Sequence, residues 1–320
     1  MTTGNTSPLR TTGAPAEDFR AVGRRVSNWG RWGAEDERGT LNLITSECVV
    51  AAGRLVRRGK VFALGIPFDE DGPQDGRVRN NPTRLMKETG AEPQGNPGAF
   101  RYADDYVFMA LQAASQWDAL AHVHYDGLLY NGFPASSLTS HGASRCSVSN
   151  LSPGVAGRGV LLDVARARGV DWLDLGVAIE PEELDEVATA QGVEVRSGDV
   201  VLIRTGWRKK FLSDHDKQGF KAGEPGLGIR CADWLHGHDV AAVGSDNFAI
   251  EVLPGEYAGE YLPLHMVAIR DMGLPLAEIL DLEALAEDCA ADRVYEFLFA
   301  GAPLSFTGGV GSPVNPLVLK

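Results

Sequence analysis

Acidic, imidazole and amide side chains are concentrated between Gln112 and Asn131, in the segment Q-A-A-S-Q-W-D-A-L-A-H-V-H-Y-D-G-L-L-Y-N. Asp118 and His122 are four residues apart and would share one face of a helix. Gln112 and Gln116 have the same spacing. Gln116 and Asp118 are two apart, so they would share one face of a strand. A strand that turns into a helix near Asp118 would aim these side chains at one point, where their oxygen and nitrogen atoms would suit Zn²⁺ or Mn²⁺.

A D-x-x-x-H spacing alone is also typical of a buried strand end with one hydrogen-bonded histidine, so both interpretations remain open. His265 is a further candidate ligand, because it lies in an apolar segment where an unpaired imidazole would be costly. Glu278 follows it at the end of an apolar stretch. The histidines outside these segments are typical of surface or structural positions: His141, His215, His236 and His238.

The composition argues against several classes of function. The chain has 43 acidic and 30 basic residues and a net charge of −13, whereas a nucleic-acid or anionic-membrane partner would need a basic surface. Its four cysteines are widely spaced without a C-x-x-C pair, which is typical of free thiols in a reducing compartment. No apolar run reaches the roughly 18 residues that a membrane span requires. We therefore expect a cytoplasmic protein that binds a small-molecule substrate, without a nucleic-acid or membrane partner.

Local patterns predict strands and helices that alternate without a regular β-α-β repeat. Thr45 is a predicted helix N-cap, with Gly59 as the stop, and a second helix begins at Pro181 and ends before Gly192. Further helices are predicted at Ile229–Gly237 and Pro263–Met272. The predicted extended segments are T-L-N-L-I before Thr45, Val61–Pro67, Tyr106–Leu111, Gly159–Val164, two strands within Val193–Trp207, and the segment D-V-A-A-V-G-S-D-N.

These elements predict one mixed α/β domain over residues 28–320. Residues 1–27 are polar and contain small residues and prolines, so we expect a disordered or loosely attached tail there. The stretch Asp69–Gly98 is rich in Gly, Pro, Asn and Asp and is predicted to be a long loop, either a lid or binding loop or a mobile insertion.

Three frequent catalytic signatures are missing from the sequence. A G-x-S-x-G nucleophile elbow, a G-x-x-x-x-G-K-[ST] phosphate loop and an H-E-x-x-H zinc motif do not occur. The candidate chemistry therefore depends on the segment that begins at Gln112.

That segment resembles the hallmark H-x-G-T-H-x-D-x-P-x-H of the cyclase family of metal-dependent hydrolases, which includes bacterial kynurenine formamidase and isatin hydrolase. The hallmark falls on Gln112, Gln116, Asp118 and His122. Similar blocks follow in the same order, so the resemblance spans about residues 28 to 318: S-G-D-V-V-L-I-R-T-G-W (197–207), V-G-S-D-N (243–247), L-P-L-H followed by P-L-A-E-I-L-D-L (262–282), and the C-terminal A-P-L-S-F-T-G-G-V-G-S-P-V-N-P.

The resemblance implies the family's swivelling β/β/α fold and a metal site altered at two positions. The two leading histidines of the hallmark are Gln112 and Gln116 here, and an amide oxygen is a poorer zinc ligand than imidazole. The residues at the remaining matching positions are Asp118, His122, His265 and Glu278. We therefore expect one divalent metal ion, Mn²⁺ or Zn²⁺, held by Asp118 and His265 with Glu278 or Gln116, and with Gln112 as a further candidate.

The implied activity is metal-dependent hydrolysis of an amide C–N bond or a lactone in a small aryl or cyclic substrate, with His122 as general base and acid. Candidate substrate-binding residues are Trp117, Tyr130, Arg84 and His124. Core packing is the alternative for the two aromatic residues, and a solvated loop position is the alternative for Arg84.

Two other functions remain open at this point. One is a cyclase or dehydratase that uses the same metal without adding water to its product. The other is a catalytically silent small-molecule-binding protein, in which the two glutamines mark a site that has lost its chemistry. In either case the family resemblance implies a homodimer or homotetramer.

Overall fold

A nine-stranded mixed sheet is the framework of the computed structural model, which describes residues 17–320. The sheet order is β1-β15-β13-β7-β9-β11-β12-β4-β14, and three two-stranded ribbons lie outside it. The strands are β1 (Val61–Ala63), β2 (Thr83–Glu88), β3 (Asp104–Phe108), β4 (Gln116–Asp118), β5 (Leu138–Thr139), β6 (Gly142–Ala143), β7 (Ala156–Asp163), β8 (Ala178–Ile179), β9 (Val200–Arg204), β10 (Gly226–Leu227), β11 (Ala242–Ser245), β12 (Leu276–Glu278), β13 (Glu296–Ala300), β14 (Gly311–Pro313) and β15 (Leu317–Leu319).

The helices are short and lie on both faces of the sheet. They are α1 (Phe19–Arg25), α2 (Ser46–Gly53), α3 (Val164–Ala167), α4 (Pro181–Gln191), α5 (Trp207–Asp214), α6 (Lys217–Ala222), α7 (Cys231–Gly237), α8 (Pro263–Met266) and α9 (Glu283–Asp292). A π-helix, Val267–Met272, continues α8, and 3-10 turns occur at Gly39–Leu43, Tyr130–Gly132, Ala135–Ser137 and Val148–Leu151. The mixed α/β prediction is confirmed.

The centre of the sheet is parallel and buried on both sides. β7, β9, β11 and β12 are parallel neighbours, and β9 is buried at every residue. Because successive side chains of a strand point to opposite faces, one apolar run supplies two cores. Val201 and Ile203 pack into the core on the side of the sheet that carries α1, α4, α7 and α8. We call this side of the sheet the helical face. Val200 and Leu202 pack into the core on the other side, together with α9.

The structure describes only the second part of the predicted tail, residues 1–27. Residues 1–16 lie outside the described part of the chain. The prediction is wrong for α1, because Phe19 and Val22 are buried in the core of the helical face. Asp18 caps the helix by accepting a hydrogen bond from the backbone nitrogen of Arg20. The apolar pattern of α1 is short and lies within a segment of polar composition, so composition alone did not predict the helix.

The predicted strand Tyr106–Leu111 and the predicted loop Asp69–Gly98 are both corrected. The strand is β3, at 104–108, and among the described strands it pairs only with β2, which lies within the predicted loop. This β2–β3 hairpin is separate from the main sheet, and its residues are almost all exposed. The apolar pattern predicted that a strand forms here, but it did not predict that the strand is exposed and lies outside the main sheet.

Several local predictions are confirmed, and others fail where tertiary contacts decide. Thr45 caps α2 by accepting from the nitrogen of Cys48, although the helix ends at Gly53 rather than at Gly59. Gly192 ends α4 at a φ of 68°. The segment T-L-N-L-I is a 3-10 turn, and only the second predicted strand of Val193–Trp207 forms. Within residues 17–320, no helix is long and apolar enough to cross a membrane.

Candidate metal centre

Two neighbouring strands bring the first polar side chains of the site together. β4 and β12 are antiparallel, with Gln116 opposite Glu278 and Trp117 opposite Ala277. Gln116 and Asp118 therefore point to the same side of the sheet as Glu278, the helical face. The Nε2 of Gln116 donates a hydrogen bond to Glu278 Oε2 at 2.5 Å. The predicted strand geometry of Gln116 and Asp118 is thus present, but the chain after Asp118 forms turns rather than the predicted helix.

The third side chain, His265, comes from α8. Its Nδ1 lies 3.1 Å from the carbonyl oxygen of Ala249, to which it donates in the tautomer that leaves Nε2 free to accept. Nε2 lies 3.2 Å from Asp118 Oδ2 and 3.4 Å from Glu278 Oε1. Glu251 holds the start of the helix, since its carboxylate accepts from the backbone nitrogens of Leu264 and His265 at 3.1 and 2.7 Å.

Asp118, His265 and Glu278 form a buried group that has the composition of a metal site. We call these three residues the metal-type group. One ligand atom from each residue lies within 4.8 Å of the others, and all three residues are buried. Two buried oxygens at this point, Asp118 Oδ1 and Gln116 Oε1, have no hydrogen-bond partner within residues 17–320. Unsatisfied buried oxygens are costly in a native protein, and a cation would satisfy both. The residues therefore fit a divalent ion.

The electrostatics of the group also favour a cation. Burial and the neighbouring charge of Asp118 raise the pKa of Glu278 to about 8. Burial opposes the charged form of His265, but its hydrogen bond to Asp118 and the charge of Glu278 outweigh burial and raise its pKa to about 9. Two carboxylates and one imidazole thus share a buried space in which they would need a proton or a metal ion for balance.

His122 lies at the edge of this group. Its Nε2 is 3.7 Å from Asp118 Oδ1, and its Nδ1 is 3.4 Å from the side-chain nitrogen of Gln112. Burial lowers the pKa of His122, which keeps the imidazole neutral near neutral pH. Gln112, predicted as a further metal ligand, is placed beside His122 and contacts its ring.

A pocket of about 570 Å³ opens directly beside His122. Volumes of this size accommodate small organic ligands. Its lining combines imidazole, cationic and aromatic side chains, among them His122, His124, Arg79, Lys221, Phe248 and Tyr261. The site therefore has a buried metal-type group, an imidazole beside it and a cavity for a substrate.

Two of the predicted substrate-binding residues are corrected by their burial. Trp117 points away from the pocket into the opposite core, where its Nε1 donates to the Gly301 carbonyl at 2.7 Å and its ring packs against Phe299. Tyr130 is also fully buried, and its hydroxyl donates to Asp36 Oδ2 at 2.9 Å. Neither ring lines the pocket, so both have the core-packing role.

The other two substrate-binding predictions have different outcomes. Arg84 lies on the exposed β2–β3 hairpin, 3.5 Å from Asp105, and is not among the residues that line the pocket, which matches the solvated loop position given as its alternative. His124 lines the pocket next to His122. Sequence reasoning missed Arg79 and Lys221. Arg79 belongs to the stretch Asp69–Gly98, whose proposed binding role was the only signal for it, and Lys221 had none.

Comparisons with known proteins agree with this architecture. The family described as Putative cyclase matches residues 57–252. A crystal structure of a novel cyclase is 38% identical, with a TM-score of 0.87 over 93% of this chain and 99% of that chain. No curated protein matches.

Two more distant structures share the fold. Isatin hydrolase A from Ralstonia solanacearum is 18% identical, with a TM-score of 0.61 over 86% of this chain and 98% of that chain. An isatin hydrolase bound to the product analogue thioisatinate is 16% identical, with a TM-score of 0.60 over 86% and 99%. The expected cyclase-family fold is confirmed, and the chain belongs to the Putative cyclase family.

Proposed function

We propose that this protein is a metal-dependent hydrolase that cleaves an amide C–N bond, as in an N-formyl aryl amine or a cyclic amide, or a lactone bond, in a small aryl or cyclic substrate. The observation that carries the proposal is the buried group of Asp118, His265 and Glu278, with two oxygens that have no hydrogen-bond partner among residues 17–320 and with His122 lining the adjacent pocket. Related folds in isatin hydrolases are consistent with this chemistry.

Each polar residue has a defined part in this proposal. Asp118, His265 and Glu278 would hold one Mn²⁺ or Zn²⁺ ion, and the Gln116 amide oxygen is positioned as a further ligand. When bound, such an ion supplies a Lewis acid that lowers the pKa of water towards about 7 and polarises a carbonyl group. The Ala249 carbonyl orients the His265 ring, as partners of metal-binding histidines usually do.

His122 supplies the proton transfers. Its lowered pKa leaves the imidazole able to accept a proton from the attacking water, and the contact with Gln112 holds the ring in place. The protonated ring can then donate to the leaving nitrogen or oxygen. The partly apolar walls formed by Phe248, Tyr261 and Met266 suit an aryl or cyclic substrate.

The proposal is tested by metal analysis combined with a hydrolysis assay on formanilide, isatin and an aryl lactone. We expect about one divalent ion per wild-type chain and a product that has gained one water. Asp118→Asn should lose most of the ion and the activity, because a carboxylate ligand becomes a neutral amide. Asp126→Asn is the matched control, since Asp126 is exposed and pairs with Arg20 outside the site. A folded wild-type protein that binds no ion at saturating Mn²⁺ or Zn²⁺ would refute the proposal.

A further inference from the structure

The pocket beside His122 carries more positive charge than its own carboxylates balance. Its lining includes the cations Arg77, Arg79 and Lys221 and one carboxylate, Asp75. Asp75 pairs with Arg77, whose side chain is mostly exposed to solvent. Arg79 and Lys221 have no carboxylate within ion-pair distance in the part of the chain that the structure describes. This local excess occurs in a protein whose net charge is −13.

Arg79 lines the pocket and is tied to the segment that carries His122. Its Nη1 donates to the carbonyl oxygen of Gln112 at 3.2 Å, and the side chain of Gln112 contacts His122. This single bond to a neutral carbonyl leaves other guanidinium N–H groups available to the pocket. A planar guanidinium held in this way is suited to two parallel hydrogen bonds with a carboxylate.

Lys221 approaches from α6 and is partly withdrawn from water. Its ammonium lies over the ring of Phe248, and burial lowers its pKa to about 8. Arg79 and Lys221 line the same pocket as His122, whose Nε2 lies 3.7 Å from Asp118 Oδ1. If a divalent ion balances Asp118 and Glu278, the two cations need a different anion. Half-buried cations without a partner are unfavourable, so an anionic ligand would stabilise this pocket.

We propose that Arg79 and Lys221 bind a carboxylate that the substrate carries apart from the bond to be hydrolysed. The substrate class is then an anionic aryl or cyclic amide or lactone rather than a neutral one. This inference rests on the proposed function because it takes the ligand to be a substrate. The binding of an aryl carboxylate can nevertheless be measured without turnover. The residues that recognise the anion thus lie on the 69–98 stretch and α6, not at Arg84.

The first experiment measures binding to chelator-treated protein, so that a metal ion cannot hold the carboxylate. The probes are the fluorescent pair 2-aminobenzoate and its neutral analogue 2-aminobenzamide. We expect wild-type protein to prefer 2-aminobenzoate. Arg79→Gln and Lys221→Met should each raise the Kd for 2-aminobenzoate at least about tenfold, the loss expected for a charge-assisted hydrogen bond, and leave 2-aminobenzamide unchanged. Arg79→Lys should retain part of the preference.

Arg84→Gln is the control, because Arg84 pairs with Asp105 on the exposed hairpin. The proposal is overturned if the two probes bind equally, if Arg79→Gln and Lys221→Met leave the preference intact, or if Arg84→Gln removes it. These outcomes do not depend on catalysis, so they separate this inference from the proposed hydrolase activity.

The second experiment compares hydrolysis of 2-formamidobenzoate with that of its methyl ester by the metal-loaded protein. Both compounds contain the same N-formyl bond, and only the first carries the carboxylate. We expect kcat/KM to favour the acid and the preference to fall at least about tenfold in Arg79→Gln. Recognition only of a carboxylate formed by the reaction would instead change product inhibition and leave this preference unaltered, which would contradict the proposal. If neither compound is hydrolysed, the proposed function fails for this substrate class, and the binding result alone decides the inference.

Discussion

At the scale of single residues, the two glutamines of the site do different things. Gln116 faces Glu278 across two paired strands, and its Oε1 has no hydrogen-bond partner in the described part of the chain. Gln112 contacts His122 instead. The family hallmark places a histidine at each position, so the sequence pattern alone does not distinguish Gln112 from Gln116. The structure indicates that a change at Gln116 would alter the metal-type group, whereas a change at Gln112 would alter the surroundings of the imidazole beside it.

His122 provides the residue-scale prediction. His122→Gln should lower kcat by roughly 10²–10⁴-fold, because the general base and acid is lost. Its metal content should stay at the wild-type level, since His122 lies outside the group of Asp118, His265 and Glu278. Kinetics and metal analysis on the same preparation measure both quantities. His141→Gln, at an exposed position, is the control. Loss of the ion from His122→Gln would show that His122 is a ligand rather than a base.

At the scale of secondary-structure elements, the site depends on short segments that other elements hold in place. β4 has three residues, yet it is buried and bonded on both sides, by β12 and β14. α8 has four residues, and its first turn is tied to the carboxylate of Glu251. Segments this short are not stable by their own propensity, so tertiary contacts must fix their position.

Glu251 provides the element-scale prediction. Glu251→Ala should weaken metal binding about tenfold or more although Glu251 does not belong to the metal-type group, because the backbone that carries His265 loses its anchor. It should also lower the free energy of unfolding by about 1–3 kcal/mol, since two buried amide groups lose their acceptor. Glu251→Gln keeps one acceptor oxygen and should retain more of both. Metal titration and chemical denaturation measure the effects, and wild-type values for Glu251→Ala would exclude this anchoring role.

At the scale of the whole molecule, one sheet separates two cores and presents the site on only one of its faces. Trp117 lies in one core, while its neighbours in the chain, Gln116 and Asp118, face the other side. The β2–β3 hairpin stands apart from both cores and exposes large apolar side chains: Leu85, Met86, Tyr106, Val107 and Phe108. Exposed apolar surface of this kind is typical of an interaction site.

The expected homodimer or homotetramer is the whole-molecule prediction. Light scattering coupled to size-exclusion chromatography should give two or four times the chain mass of 34.3 kDa. Phe108→Glu, which places a charge on the most exposed aromatic residue of the hairpin, should shift the protein towards smaller species if the hairpin lies in the interface. Val294→Glu, at an exposed apolar position elsewhere, is the matched control. A mass of one chain for wild-type protein at all concentrations would contradict the expectation.

The sequence by itself determined the features that depend on local chemistry. Thr45 and Gly192 were identifiable as helix boundaries because capping and left-handed geometry act within a few residues. The fully buried strand β9 followed from its continuous apolar run, and the family pattern selected Asp118, His265 and Glu278.

Only the tertiary structure decided which side chains lie together in the buried group and which line the pocket beside it. Asp118 and His265 are 147 residues apart in the chain, and Arg79 and Lys221 converge from a loop and a short helix. The same packing buried Trp117 and Tyr130 away from the pocket and left Arg84 in solvent. Sequence periodicity predicts which side chains share the inner or the outer face of a strand or helix. Long-range packing determines what each face contacts.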